Sequence, residues 1–395
     1  PTLRNILSPR GAIGTGKILI GGRGNILEFE IFNRAHRDEL PPTMTFFSLW
    51  YHEEGKEPEA MVLERKFFDD FDNGFGEPRQ QLSGLPRFRE TRWSGAPPKV
   101  GIEFEDNRVP LKVHLECFNP LIPLDVDASS IPLGEFTWFI SNPGSDPVDY
   151  SVALNISNPF RNLNYRNGKP GHPVRNTRIQ NGILNGIYME NLLDPDHPDF
   201  GNMAVATDHD QTTFHTGLTS QGWWDDAHIL WSDFCDDGQV SARDTPMIHE
   251  GTREEVASLL ASGHLEAGES DTVRFYLSWY VPNRVLEENQ AFGAAGIRYH
   301  QTRNYYASLY SNAREVLEVY MGQRAELREL SNRFYENLTK STVPSPVMDA
   351  AASNLAILKS NLLSRVENGD VHGYEGLGPD FGCCPGNCTH VWNYA

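Results

Sequence analysis

The sequence predicts a large antiparallel β-sandwich, then a helical linker, then the opening of an all-helical domain. Three observations carry this. Apolar and polar residues alternate with period two through much of residues 1–285, between clusters of Gly, Pro, Asn and Asp. At Pro282 the composition changes, and apolar residues then fall at helical spacing. At 395 residues the chain is also too long for one ordinary domain. Many strands with almost no helical period imply two packed sheets, and the length of that stretch implies extended sheets with long inserts rather than a simple immunoglobulin-like sandwich. The expected divisions are 1–285 for the sandwich, 286–344 for the helical linker and 345–395 for the start of the helical domain.

In chain order, Gly14-Thr15-Gly16 and Gly21-Gly22-Arg23-Gly24 come first. A dinucleotide loop needs a strand, then GxGxxG, then a helix. Here the glycines run into strand-like Ile26 to Phe32, so they predict tight turns within a sheet. Leu111, Val113, Leu115 and Cys117 alternate with polar neighbours. So do Val148, Tyr150, Val152, Leu154 and Ile156, and again Val273, Phe275, Leu277, Trp279 and Val281. Asn142-Pro143-Gly144-Ser145-Asp146-Pro147 reads as a hairpin-type loop. From about His300, Tyr306, Leu309, Ala313, Leu317 and Tyr320 follow helical spacing, continued by Leu327, Leu330, Phe334 and Leu338. A second helix is expected with Ser345 as N-cap and Pro346 at its first position. Its stripe of Val347, Ala351, Leu355, Leu358, Leu362 and Val366 needs an apolar surface to pack on, and Gly369 closes it.

Hydrophobic residues make up 39% of the chain and charged residues 22%, with 8 Trp, 14 Tyr and 21 Phe to build a core. No window approaches 18 uninterrupted apolar residues, so no membrane-spanning helix is expected. A formal charge of −19 repels a phosphate backbone and argues against nucleic acid as a partner. The five cysteines are Cys117, Cys235, Cys383, Cys384 and Cys388. An odd count with two adjacent members is a poor disulfide framework, which points to a reducing compartment and a cytoplasmic location. No signal peptide is visible, in a numbering that starts at Pro1 rather than Met.

The stretch from Gly373 to Ala395, GYEGLGPDFGCCPGNCTHVWNYA, concentrates the candidate chemistry. It is too rich in Gly and Pro to be a helix and reads as a polar, aromatic loop of the kind that carries function. Glu375 and Asp380 are two acids near an aromatic residue, as sugar hydrolysis requires, although on one loop they serve equally to bond backbone amides. Trp392 offers a flat face to a pyranose ring or, buried, a packing surface. Cys383, Cys384, Cys388 and His390 are zinc-type donors at the wrong spacing for a finger, and are read as structural thiols beside a histidine, with no metal and no cofactor expected. Cys–His nucleophilic pairing is disfavoured because residues so close in sequence do not face each other well.

Gly11 to Arg34 (GAIGTGKILIGGRGNILEFEIFNR), Phe104 to Pro132 (FEDNRVPLKVHLECFNPLIPLDVDASSIP), Gly268 to Asn283 and Cys383 to Tyr394 (CCPGNCTHVWNY) together resemble glycoside hydrolase family 116. The first is similar to that family's glycine-rich opening hairpin, the next two to strands of its N-terminal domain, and the last to the start of its catalytic domain. The resemblance implies a β-sandwich N-terminal domain, a helical linker and an (α/α)6 barrel that this chain opens without completing. It implies retaining hydrolysis of β-glucosides, glucosylceramide among them, by a Glu nucleophile and an Asp acid/base. In the family both lie downstream of the CTHVWNY-like motif, so no catalytic residue is assigned within this chain. Twelve barrel helices of roughly 11–12 residues need far more chain than Pro346 to Ala395. Glu375, Asp380, His390 and Trp392 remain substrate-binding candidates, with a β-glucoside or glucosylated lipid and the remainder of the barrel as partners. Two other readings stay open. Disaccharide phosphorylases and glucoamylase-like hydrolases share the sandwich-plus-barrel plan. A non-enzymatic module displaying Trp223, Trp224 and Trp231 to sugars fits the fragment as well.

Overall fold

The computed structural model describes residues 3, 6–34, 44–67, 82, 84–161, 171–182, 184–219, 226–241, 244, 248–249, 255–289, 297–374, 376–377 and 382–383. Three short strands, β1 (Leu7–Gly11), β2 (Lys17–Gly21) and β3 (Ile26–Glu30), form a sheet of their own. Two larger sheets, of six and nine strands among the described residues, are then woven together. β4 (Phe46–Glu53), β5 (Glu59–Arg65) and β6 (Arg87–Phe88) belong to the smaller sheet. β7 (Glu90–Ala96), β8 (Lys99–Glu105), β9 (Lys112–Phe118) and β10 (Leu133–Ser141) belong to the larger. β11 (Val148–Ser157) returns to the smaller, and β12 (Val174–Asn181), β13 (Leu184–Asn191) and β14 (Asn202–Thr207) to the larger. β15 (Thr212–Thr219) is in the smaller sheet and is followed by helix α1 (Asp226–Asp237). β16 (Ile248–His249) joins the larger, β17 (Glu255–Leu265) the smaller and β18 (Ser270–Tyr280) the larger. A ribbon of β19 (Asn283–Asn289) and β20 (Ile297–Arg303) leads to α2 (Ala313–Thr339) and α3 (Ser345–Asn354). Two small hairpins follow: β21 (Leu363–Arg365) with β22 (Val371–Gly373), and β23 (Gly376–Leu377) with β24 (Gly382–Cys383). Spatial order is β15-β17-β11-β4-β5-β6 in the smaller sheet and β16-β12-β13-β14-β18-β10-β9-β8-β7 in the larger, antiparallel apart from the β5–β6 pair.

Period-two patterning becomes layers. The odd-numbered residues Val273, Phe275, Leu277 and Trp279 of β18 meet Phe47, Leu49, Val152 and Leu154 of the smaller sheet in the central core. Phe47 sits at its middle, its ring 5.1–5.6 Å from those of Phe136, Trp138 and Phe275. Each such side chain contributes roughly 1.5–3 kcal/mol by leaving water. The three-stranded sheet adds Ile18, Ile20 and Phe29 to the same core, so its glycines do serve tight turns in a sheet. The outer faces are covered in part. Tyr276, Tyr280, Leu133 and Ala204 of the larger sheet pack against Ala313, Val316, Leu317 and Tyr320 of α2. Trp50, Val62 and Leu260 of the smaller sheet pack against Leu230 and Phe234 of α1.

Glu135 of β10 locks α2 to the sheet. It accepts hydrogen bonds from the Tyr320 hydroxyl at 2.6 Å, from Arg324 at 2.7 and 3.0 Å and from Arg328 at 2.7 Å. Arg328 also bonds Glu116. Burial works to raise the Glu135 pKa, but the two guanidiniums and the tyrosine outweigh it and hold the carboxyl below its usual range.

Three local expectations need correction. The 142–147 segment turns the chain, but it is no hairpin loop: β10 and β11 lie in different sheets, so it crosses between layers. Asn142 builds the crossing, its side-chain amide donating to the Asp146 and Leu265 carbonyls while its Oδ1 accepts from Gly144 N. Residues around His300 are strand β20, not helix. The helix starts at Ala313, where the Asn312 side chain accepts from Arg314 N and Glu315 N as an N-cap. The second helix begins one residue early, at Ser345, and ends at Asn354 rather than near Val366. Val347 is 57% exposed, and beyond Asn354 it is Lys359 and Leu363, not Leu358 and Leu362, that are buried. Contacts with the sandwich outweigh the six-residue stripe.

Candidate functional site

Glu375, Asp380, His390 and Trp392 lie outside the described residues, as do Cys384, Cys388, Trp223 and Trp224. Cys383 is placed only by the backbone pairing of β24 with β23. Trp231, on α1, is half-buried, its ring 6.2 Å from that of Phe234, and is part of a packing layer. Cys117 and Cys235 are free; burial pushes the Cys117 thiol up to about 12 and raises Cys235 as well, so neither is an activated nucleophile. What the structure does define is the shelf built from residues 355–374, which leads up to Glu375.

The shelf is made where the first and last parts of the chain meet. Residues 363–373 form a hairpin, and Gly369 (φ +92°) closes its turn rather than capping a helix. Asn368 supports that turn: its Oδ1 accepts from Asp370 N at 3.0 Å. Asn-Gly between apolar residues is the strongest short hairpin signal, and here it was masked by an apparent helical stripe. The hairpin docks on the sandwich through Glu367 N to Arg303 O at 2.9 Å and a backbone bridge between Val366 and Asn304. The Arg365 guanidinium lies 3.5 Å from the centre of the Tyr305 ring and pairs with Asp127 at 2.6 Å. Gly14 (φ +74°), in the first turn of the chain, packs against it so closely that a Cβ would fall 2.7 Å from Arg365 N.

Beneath the hairpin runs a satisfied polar hub. The buried Asn304 amide donates to Asn33 Oδ1 at 2.7 Å and Val281 O at 2.9 Å, and its own Oδ1 accepts from Arg284 Nε at 2.9 Å. Asn33, at φ 60°, donates to Val281 O and Asn283 O. The Tyr306 hydroxyl donates to Val281 O at 2.7 Å and accepts from Val281 N. Arg284 is held by amide oxygens, with no carboxylate in an ion pair among the described residues; burial lowers its pKa to about 10, which leaves it cationic at neutral pH. Alongside, the buried Lys359 ammonium donates to the carbonyls of Asn119 and Pro120 at 3.3 and 3.0 Å, its pKa pulled down by burial and then by nearby Arg10. The 355–374 segment is thus pinned by Lys359, by Arg365 and by the Asn361 amide, which donates to Arg34 O at 3.0 Å, and Tyr374, buried, delivers the chain to Glu375. No sequence pattern flagged this hub. Asparagines and an arginine in loops read as solvated, and their partners lie far away in the chain.

Comparison with known families sets the class: the sandwich is that of a glycoside hydrolase. The profile described as "beta-glucosidase 2, glycosyl-hydrolase family 116 N-term" matches residues 8–327, from β1 into α2, and the chain belongs to glycosyl-hydrolase family 116. Three solved structures show a distant likeness. A human-microbiome protein described as a kojibiose phosphorylase is 8% identical with a TM-score of 0.29, over 90% of this chain and 36% of that one. A polysaccharide lyase is 10% identical with a TM-score of 0.33, over 71% of this chain and 35% of that one. A family GH92 α-mannosidase from Bacteroides thetaiotaomicron is 10% identical with a TM-score of 0.37, over 93% of this chain and 41% of that one. The chain therefore spans between a third and about two fifths of the length of these proteins. No helix among the described residues is long and apolar enough to cross a membrane.

Proposed function

We propose that this chain is the N-terminal portion of a retaining β-glucosidase, acting on β-glucosides that include glucosylceramide, in the cytoplasm. The observation that carries this is the family match over residues 8–327, whose description names a β-glucosidase and its N-terminal region. In this reading the sandwich and its shelf hold the 375–395 loop at the mouth of an (α/α)6 barrel. Glu375, Asp380, His390 and Trp392 border the sugar, and the reacting Glu and Asp come from the barrel. Retention requires two carboxyl groups about 5–5.5 Å apart, one attacking the anomeric carbon and the other protonating the leaving oxygen. The shelf supports this chemistry by geometry alone. Its cations are spent on carbonyls, amide oxygens and, for Arg365, the Asp127 carboxylate, so they fix structure rather than stabilise a transition state.

The test is release of nitrophenol from 4-nitrophenyl β-glucoside by residues 1–395 and by a protein that continues through the barrel. The longer protein should turn over the β-glucoside and leave the α-glucoside intact, while residues 1–395 should be inert. Turnover by residues 1–395 alone would place an acid pair inside this chain, with Glu375 and Asp380 first to be substituted. Preference of the longer protein for α-glucosides, or for phosphate over water as acceptor, would sink the reading.

A further inference from the structure

At one end of the sandwich, away from the shelf in sequence, lies an open pocket of about 370 Å³. The β14–β15 connection supplies Asp208, His209, Asp210 and Gln211, the end of β17 supplies Ser262 and Gly263, and the start of β18 supplies Asp271, Thr272 and Arg274. We propose that this pocket is a carbohydrate-binding subsite that takes one residue of a neutral glycan.

The pocket is built rather than incidental. Tyr150 passes beneath Gly263, where a Cβ would come within 2.8 Å of its ring, and its hydroxyl donates to Asp271 Oδ2 at 2.5 Å. Asp271 also accepts from Thr272 N at 2.6 Å and faces His209 Nε2 at 3.2 Å. The other ring nitrogen of His209 faces the Gln211 carbonyl at 3.3 Å. Asp208 accepts from the Tyr276 hydroxyl at 2.9 Å and lies 3.6 Å from Arg274. Arg274 Nε is buried with no acceptor. Burial works to raise the Asp271 pKa, but hydrogen bonds from Tyr150, Thr272 and His209 outweigh it and keep the carboxylate ionised.

This set selects its ligand by chemistry. The volume falls within the roughly 300–1,000 Å³ of small-molecule sites, but the lining side chains are mostly polar or charged and include no aliphatic or carbocyclic aromatic group. Three carboxylates repel phosphate and anionic sugars. Among the described residues no group of three His, Cys, Asp or Glu is placed to hold a metal ion. A ring bearing adjacent hydroxyls fits, since each hydroxyl both donates and accepts: carboxylates take its protons while the partly exposed Arg274 guanidinium supplies donors. Family membership selects sugars among such polyols, and the inference rests on that membership and not on the hydrolytic reading. Without an aromatic platform in the lining, affinity should be on the order of millimolar.

The test is calorimetric titration of the chain with cellotetraose and methyl β-glucoside, with glucose 6-phosphate as the anionic control. Gln211→Trp fills the pocket from an exposed position whose backbone carbonyl, not its side chain, bonds the protein. Asp208→Asn removes one acceptor charge. Saturable binding of a neutral sugar, weakened roughly tenfold or more by each change and absent for the phosphate, supports the subsite. The melting temperature of Gln211→Trp should stay that of the parent. Undiminished binding by Gln211→Trp overturns it. So does the absence of saturable binding, which would leave the cluster as an ion-pair network serving the fold alone. Because no turnover is measured, neither result depends on the glucosidase assay.

Discussion

Glu135 shares β10 with core residues Phe136 and Trp138, yet its side chain faces α2 and is fully buried there. From sequence alone it reads as the wet side of an alternating strand, because Tyr320, Arg324 and Arg328 lie far along the chain. Removing one partner of a buried charge cluster typically costs 3–5 kcal/mol. Gln keeps part of the hydrogen bonding, and the two arginines retain some exposure, so Glu135→Gln should cost about 2–3 kcal/mol in urea unfolding. The pH dependence follows from the lowered carboxyl pKa. The cluster's stabilisation is fully present above the ordinary value of 4.5 and is lost as pH falls through the lower folded value. The parent should therefore lose stability on the acid side more steeply than Glu135→Gln. Parallel acid limbs for the two proteins would show that Glu135 is not ionised in the fold.

Among elements, the strands around Val113, Val152 and Phe275 were legible because one face of each is packed in a common core, which imposes period two. The 142–147 turn was misread because turn residues state that a chain reverses, not which sheet it enters. The 363–373 hairpin was misread because a few apolar residues at helical intervals carry little information unless a surface matches them. Its docking explains Gly14, which sequence alone assigns only to a turn. Gly14→Ala combines a left-handed backbone with a Cβ 2.7 Å from Arg365 N, so the hairpin must shift. Amide exchange in residues 363–374 should accelerate in Gly14→Ala while β10, β11, β17 and β18 keep their protection. Gly369→Ala shares the positive φ but meets open space, so it should loosen only its own turn. Unchanged exchange in Gly14→Ala would mean that the hairpin is held without the first turn.

For the whole molecule, alternation and turn signals disclosed a sandwich but not its layering: α1, smaller sheet, larger sheet, α2. Both sheets are covered in part on their outer faces, and these covers depend on Tyr276, Tyr280 and Trp50, residues that an alternation pattern assigns to water. The site candidates Glu375, Asp380, His390 and Trp392 lie outside the described residues, and the polar hub beneath the 363–373 hairpin was not legible, because amide and cation contacts between distant segments leave no local pattern. A chain ended at Asn312 removes α2 and uncovers Leu133, Ala204, Tyr276 and Tyr280 together. Such a contiguous apolar face should drive self-association, measurable as a concentration-dependent sedimentation coefficient absent from residues 1–395. A monomeric truncation would show that this face tolerates water. The repeated passage of the chain from one sheet to the other, at 142–147 and again between β17 and β18, carries a consequence for damage and repair. A nick at 142–147 leaves two fragments, each owning strands of both sheets. Neither holds all the strands of either large sheet, and each completes the other's. Cleaved chains should stay associated until they melt as one body, and fragments mixed after denaturation should recover the fold only together.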